Sequence, residues 1–141
     1  MSKNRTKPTL EEQRIMRAEA CVQKCGDKEA LVLFRLMRET GIRIGDLIEL
    51  TPQSLRDREV FLVERKYGVG KFYQYGDSSF PMVSEETAGM LVVGEDGKFF
   101  HHNKLYFISL FERVITEPGF NYHQLRRYVL EEKIEQSIYE N

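Results

Sequence analysis

The hydrophobic pattern of this chain changes period twice, and no other feature restricts its architecture as much. Up to about residue 50 the apolar positions recur at helical spacing; residues 59–83 read as short strands, and helical spacing then returns. Pro8-Thr9-Leu10-Glu11-Glu12 opens the first helix, with Thr9 as N-cap and Glu12 three residues on as its capping-box partner. Gly26-Asp27 interrupts it. Ala30, Leu31, Phe34, Leu36 and Met37 make a strongly apolar second helix that stops at Thr40-Gly41, glycine being suited to the left-handed turn of a helix end. A short third helix over about 44–50 ends before Thr51-Pro52.

Glu59-Val60-Phe61-Leu62-Val63-Glu64-Arg65 is rich in β-branched and aromatic residues and reads as a strand, followed by the turn Tyr67-Gly68-Val69-Gly70. Phe72–Tyr75 and Phe80–Val83 read as two more strands around Gly76-Asp77-Ser78-Ser79. Pro81, which has no N–H to give a ladder, confines the last strand to an edge or an end. Helices are expected again over about 85–92, 103–116 and 122–139, with Gly94-Glu95-Asp96-Gly97 as a turn. The expectation is one α+β domain over residues 8–141, mainly helical with a small three-stranded antiparallel sheet, behind a flexible basic tail at 1–7.

Composition excludes several classes. Hydrophobic residues make up 41% and charged residues 30% of the 141, which suits a folded globular domain with one core. No apolar run approaches the roughly 20 residues of a membrane-spanning helix, and Met1–Lys7 lacks the apolar stretch of a secretion signal. A cytoplasmic protein, or a nucleoid-associated one in a prokaryote, is expected, with no membrane partner. Cys21 and Cys25 share one helix face, poorly placed for a disulfide, and only His101 and His102 are spare as further metal ligands. Reduced, packed thiols and no metal are therefore expected.

The net charge of −1 argues against a generic nucleic-acid binder, but its distribution is uneven. Residues 1–76 carry 15 basic and 11 acidic side chains, while 77–97 carry none and five. Residues 98–127 return to +3 and 128–141 fall to −3. The two positive blocks contain two short basic motifs, Thr40-Gly41-Ile42-Arg43 and His123-Gln124-Leu125-Arg126. Two converging guanidiniums suit a phosphodiester, because each is permanently charged and offers a planar fork of donors. Taken singly the motifs are bland. Arg43 suits a helix C-terminus, Arg126 and His123 suit an exposed helix, and Lys66 and Lys71 beside a glycine turn suit solubility.

In this order, around a lysine-bearing hairpin, they resemble the catalytic domain of the tyrosine recombinases, the phage-integrase family, over roughly Pro8 to Tyr139. Leu10-Glu11-Glu12 looks like the helix that opens that domain. Thr40-Gly41-Ile42-Arg43-Ile44-Gly45-Asp46-Leu47-Ile48-Glu49-Leu50 resembles the first arginine box, Phe80-Pro81-Met82-Val83 the proline-bearing strand after the catalytic lysine, and His123-Gln124-Leu125-Arg126 the second box. By that resemblance Arg43 and Arg126 clamp the scissile phosphate and stabilise its developing charge. Lys66, favoured by its distance from Arg43, or Lys71, nearer Pro81, protonates the leaving 5′-oxygen, and His123 aids phosphate binding or proton transfer. Arg65, Lys71, His102, Lys104 and Arg127 are the expected DNA contacts. The family's nucleophile is a tyrosine that forms a 3′-phosphotyrosyl link, so the resemblance implies double-stranded DNA as partner and no cofactor.

The pattern is also departed from. The family's further histidine or tryptophan and its tyrosine lie farther beyond the second arginine than Asn141, and Arg127 stands where histidine is common. Tyr139 is the one late tyrosine, but on a continuous helix it lies about 20 Å beyond Arg126 and is rotated by roughly 220°. It is expected to act, if at all, in trans within a homo-oligomer, or to be replaced by a partner chain's nucleophile. No counterpart of the family's DNA-clamping N-terminal domain is expected within this sequence; Lys3, Arg5 and Lys7 are expected in a disordered start that could follow a groove. The sequence thus favours a DNA-binding protein of recombinase ancestry with an incomplete active site, the alternative being a catalytically inactive DNA-binding regulator or a protein-interaction module on that fold.

Overall fold

Helix α2 (Lys28–Thr40) is buried along most of its circumference, and the other described elements are arranged around it. The computed structural model describes residues 9–56, 58–60, 82–123 and 125. Val32, Leu33, Phe34, Leu36 and Met37 of α2 are all buried, which is the pattern of an enclosed helix rather than of one that skirts solvent. Asp27 caps its start by accepting the Ala30 N–H at 3.0 Å, and Gly41 closes it with φ 72°.

Helix α1 (Leu10–Cys25) lays Ile15, Ala18 and Val22 against α2, a spacing of three and four residues that keeps one face inward. Its capping box forms as the sequence predicts: Glu12 N–H donates to Thr9 Oγ1 at 3.1 Å, and Thr9 N–H donates to Glu12 Oε1 at 2.7 Å. Helix α5 (Lys104–Val114) closes the core with Phe107, Leu110 and Phe111. Phe34 meets Phe111 edge to face at 6.0 Å and Phe120 at 6.1 Å, so α2, α5 and the segment after α5 share one aromatic centre.

Helix α3 (Ile44–Leu47) is one turn, shorter than the 44–50 expected, although Leu50 N–H still bonds to the Leu47 carbonyl. Helix α4 (Glu85–Met90) is held to α2 by polar contacts. Glu39 accepts the Ser84 N–H at 2.8 Å, the Ser84 hydroxyl at 3.0 Å and the buried Thr87 hydroxyl at 2.6 Å. Arg35 donates to Thr87, to Glu86 and to Glu19, and Arg38 donates to Glu19 at 2.7 Å, so α1, α2 and α4 are joined through one network. The bidentate Arg17–Glu117 pair ties α1 to the segment after α5.

Strands β1 (Leu55–Arg56) and β2 (Glu59–Val60) form an antiparallel pair in the register Leu55↔Val60 and Arg56↔Glu59, turned at Arg58 with φ 70°. The Arg58 carbonyl accepts the Val83 N–H at 2.7 Å, which brings the end of the last expected strand, Phe80–Val83, back beside this turn. A strand does begin at Glu59, as expected, but its partner Leu55–Arg56 is too short to show alternation. Residues 61–65, 72–75 and 80–81 lie outside the described residues, as do the tail at 1–7 and most of the helix expected over 122–139. The three-stranded sheet is therefore not seen among the described residues.

Both cysteines are free thiols, but only Cys21 is partly packed; Cys25, on the last turn of α1, is exposed, against the expectation for both. No helix among the described residues is long and apolar enough to cross a membrane. None of their His, Cys, Asp and Glu side chains gather into a group of three that could hold a metal ion.

Candidate functional site

The turn that carries Arg43 is built by the three residues before it. Thr40 is fully buried; its hydroxyl donates to the Leu36 carbonyl at 2.7 Å and accepts the Ile42 N–H at 3.1 Å. Gly41 reverses the chain in the left-handed region, where a side chain would be strained. Ile42 then drops into the core, which turns Arg43 outward as the residue preceding α3. The Arg43 carbonyl accepts the N–H groups of Asp46 and Leu47, both at 3.0 Å, and so fixes its backbone from the other side. Thr40→Val should keep the packing and leave the buried Ile42 N–H without an acceptor. A loss of about 1–3 kcal/mol is expected, read as a lower urea midpoint at unchanged slope; an unaltered midpoint would mean the hydroxyl does not hold this turn.

The second motif is set by Asn121. Its side-chain oxygen accepts the His123 N–H at 2.8 Å, and its carbonyl accepts the Leu125 N–H at 3.2 Å. Leu125 is buried and anchors the turn, whereas His123 is exposed and lies against Tyr122 with ring centroids 4.1 Å apart. Burial raises the Tyr122 phenol above its ordinary pKa, and the nearby Glu112 charge adds to the effect.

Arg43 and His123 line one open cavity of about 420 Å³, together with Lys104, the first residue of α5. Met37, Ile42 and Ile108 contribute apolar walls, and the buried Asp46 contributes a carboxylate. The Lys104 stem passes over α3: a methyl group built on Gly45 would lie 3.8 Å from its Cδ. A long cationic side chain commonly packs its methylenes in this way while its ammonium stays in water. Such a cavity, with cations and one acid around apolar walls, suits an anionic group carried on a larger ligand.

His102 is not among the residues lining this cavity; it stacks on Tyr106 with centroids 3.8 Å apart and planes at 15°. The Tyr106 hydroxyl donates to Asp27 Oδ2 at 2.6 Å, which, ahead of burial, raises the phenol's pKa. Arg65, Lys66, Lys71, Arg126, Arg127 and Tyr139 lie outside the described residues. Tyr122 and Asp46 are cavity residues that sequence reasoning missed. Asp46 had a signal, since three residues along α3 from Arg43 is one helical turn; Tyr122 had none beyond adjacency to His123.

His101 is not a spare ligand. Glu29 Oε1 accepts its backbone N–H at 2.8 Å, Glu29 Oε2 lies 2.7 Å from Nδ1, and Asp96 Oδ1 lies 3.2 Å from Nε2. The Glu29 bond, reinforced by Asp96, raises the imidazole above its ordinary pKa of 6.5. Asp96 is held below the ordinary carboxylate value, chiefly by the Lys98 N–H and then by His101.

A mainly helical domain with its arginine turn and histidine turn on one cavity can be compared with known folds. Neither a protein-family model nor a curated protein sequence matches the chain. Its fold is similar to part of an integrase chain. Among solved structures it is similar to a lambda integrase, determined as a dimer bound to a COC' core site, with TM-score 0.62 and 18% identity. The match covers 98% of this chain and 43% of the integrase chain, so the present sequence spans less than half the length of that neighbour.

Proposed function

We propose that this chain binds double-stranded DNA through the cavity lined by Arg43, Lys104 and His123, as a tyrosine-recombinase-type module acting in DNA integration or recombination. The observation that supports this reading most is that one cavity draws Arg43 and His123 from motifs far apart in sequence, on a fold shared with an integrase bound to its core site. In this reading Arg43 and Arg126 hold the same phosphate, with His123 beside them and Lys66 or Lys71 supplied by the hairpin. Arg65, Lys71, His102, Lys104 and Arg127 contact the flanking backbone. For strand scission the proposed nucleophile is Tyr139 acting in trans within a homo-oligomer, or the tyrosine of a partner chain.

Titration of a labelled duplex at several salt concentrations tests the binding part, since each phosphate neutralised steepens the loss of affinity with salt. A nicked suicide duplex tests the rest. Binding without a covalent adduct is expected for the isolated chain, and an adduct is expected only when a tyrosine-bearing partner or a competent oligomer is present. An adduct from monomeric chain would overturn the division of labour, and salt-insensitive or absent binding would overturn the reading itself.

A further inference from the structure

We propose that the Glu29–His101–Asp96 clamp is a pH-responsive positioning device for the start of α5, and through it for Lys104 at the cavity. The proposal rests on the DNA-binding reading above. Glu29 grips one residue at two points, the backbone N–H and Nδ1 of His101, from the first turn of α2. The other ring nitrogen faces Asp96 Oδ1, which is itself fixed by the Lys98 N–H at 3.0 Å. Among the described residues, these two carboxylates are the charged groups that act on the ring.

A neutral imidazole has a single N–H, so it can donate to only one of two carboxylates and turns a lone pair toward the other. The imidazolium donates to both. The clamp is therefore complete only in the protonated form. Gly94 lets the turn lie flat on the ring, because a Cβ there would stand 2.5 Å from Nε2 and 3.0 Å from Cε1. A second acidic handle from the same end of α2, Asp27, holds the Tyr106 hydroxyl. Between His101 and Tyr106 runs the short stretch that contains Asn103 and Lys104, so the two handles together set where the first turn of α5 sits over Gly45.

The tyrosine handle is insensitive to pH near neutrality because its phenol is raised, not lowered. The histidine handle is sensitive. Its folded pKa is raised above 6.5, so its contribution to stability is fully present below that value and is lost as pH rises through the folded pKa. Above it the ring keeps only one of its two carboxylates while Glu29 still accepts the His101 backbone N–H, so the histidine handle is weakened and the start of α5, with Lys104, is held less firmly at the cavity.

Proton NMR of the full chain with its three histidines tests this directly. His101 should titrate above its ordinary value of 6.5, Glu29→Gln and Asp96→Asn should each bring it down, and the Lys104 amide should shift in step with it. Duplex affinity should fall several-fold as pH rises through that titration. Asp96→Asn, which keeps the Glu29 contacts, should move the fall to lower pH, while His123→Gln should weaken binding but leave the fall in place. His101 titrating at or below 6.5 would overturn the clamp. An affinity without a step at the His101 titration, in a protein whose binding still depends on Arg43, would overturn its link to the cavity and leave the DNA-binding reading standing. Absence of duplex binding in every form, with the His101 titration as described, would remove the reading and the link but not the clamp.

Discussion

Arg43→Ala is expected to weaken duplex binding by roughly ten- to a hundredfold, the equivalent of the 1.5–3 kcal/mol carried by a hydrogen-bonded charged group. The substitution removes the guanidinium from the cavity without touching what builds the turn. Thr40, Gly41 and Ile42 set the backbone, and Arg43 itself has φ −62° and ψ 142°, a conformation alanine adopts freely. Its side chain is half-exposed, so the unfolding midpoint should change little. The salt dependence carries the sharper information. Losing one phosphate contact should reduce the slope of log affinity against log salt by about 0.9. Arg43→Lys should restore the slope but only part of the affinity, because an ammonium keeps the charge and lacks the planar fork. A slope and affinity equal to the unaltered chain's in Arg43→Ala would place the DNA elsewhere.

The features legible in the sequence are those whose causes lie within one turn of the chain. The Thr9–Glu12 capping box, the Asp27 break and the Gly41 stop each need only residues three or four positions apart. The first motif was legible for the same reason: Thr40, Gly41 and Ile42 build its turn by local bonds and by one buried side chain. What was not legible depends on packing between distant segments. His101 reads as a free ligand because Glu29, 72 residues away, is its partner only once α2 and the turn before α5 meet. Lys104 is an expected DNA contact from the sequence, but its place beside Arg43 is set only when α5 docks with its first residue over Gly45. The pair Leu55–Arg56 with Glu59–Val60 is set by the turn at Arg58 and the return of Val83, neither of which alternation can signal.

Phe34→Ala should have the largest effect on stability, about 3–5 kcal/mol for an aromatic truncated in a packed core. Phe34 is fully buried and its ring touches two others, Phe111 on α5 and Phe120 just before the Asn121 turn. The cavity left behind would lie beneath both halves of the candidate site, since α2 leads into Arg43 and Phe120 leads into His123. Set against the 5–15 kcal/mol typical of a folded domain, such a loss is a large share, and the melting temperature should fall by on the order of 10–20 °C. Phe34→Leu refills most of the volume and should recover most of the loss. The two substitutions separate site from scaffold. Below its own melting range Phe34→Ala should retain the salt slope of the unaltered chain, because the cations are still there; Arg43→Ala should retain the melting temperature and lose the slope. A chain in which Phe34→Ala lowers the slope while folded would show instead that the aromatic centre itself sets the spacing of Arg43 and His123, and that the phosphate site tolerates less movement than its open cavity suggests.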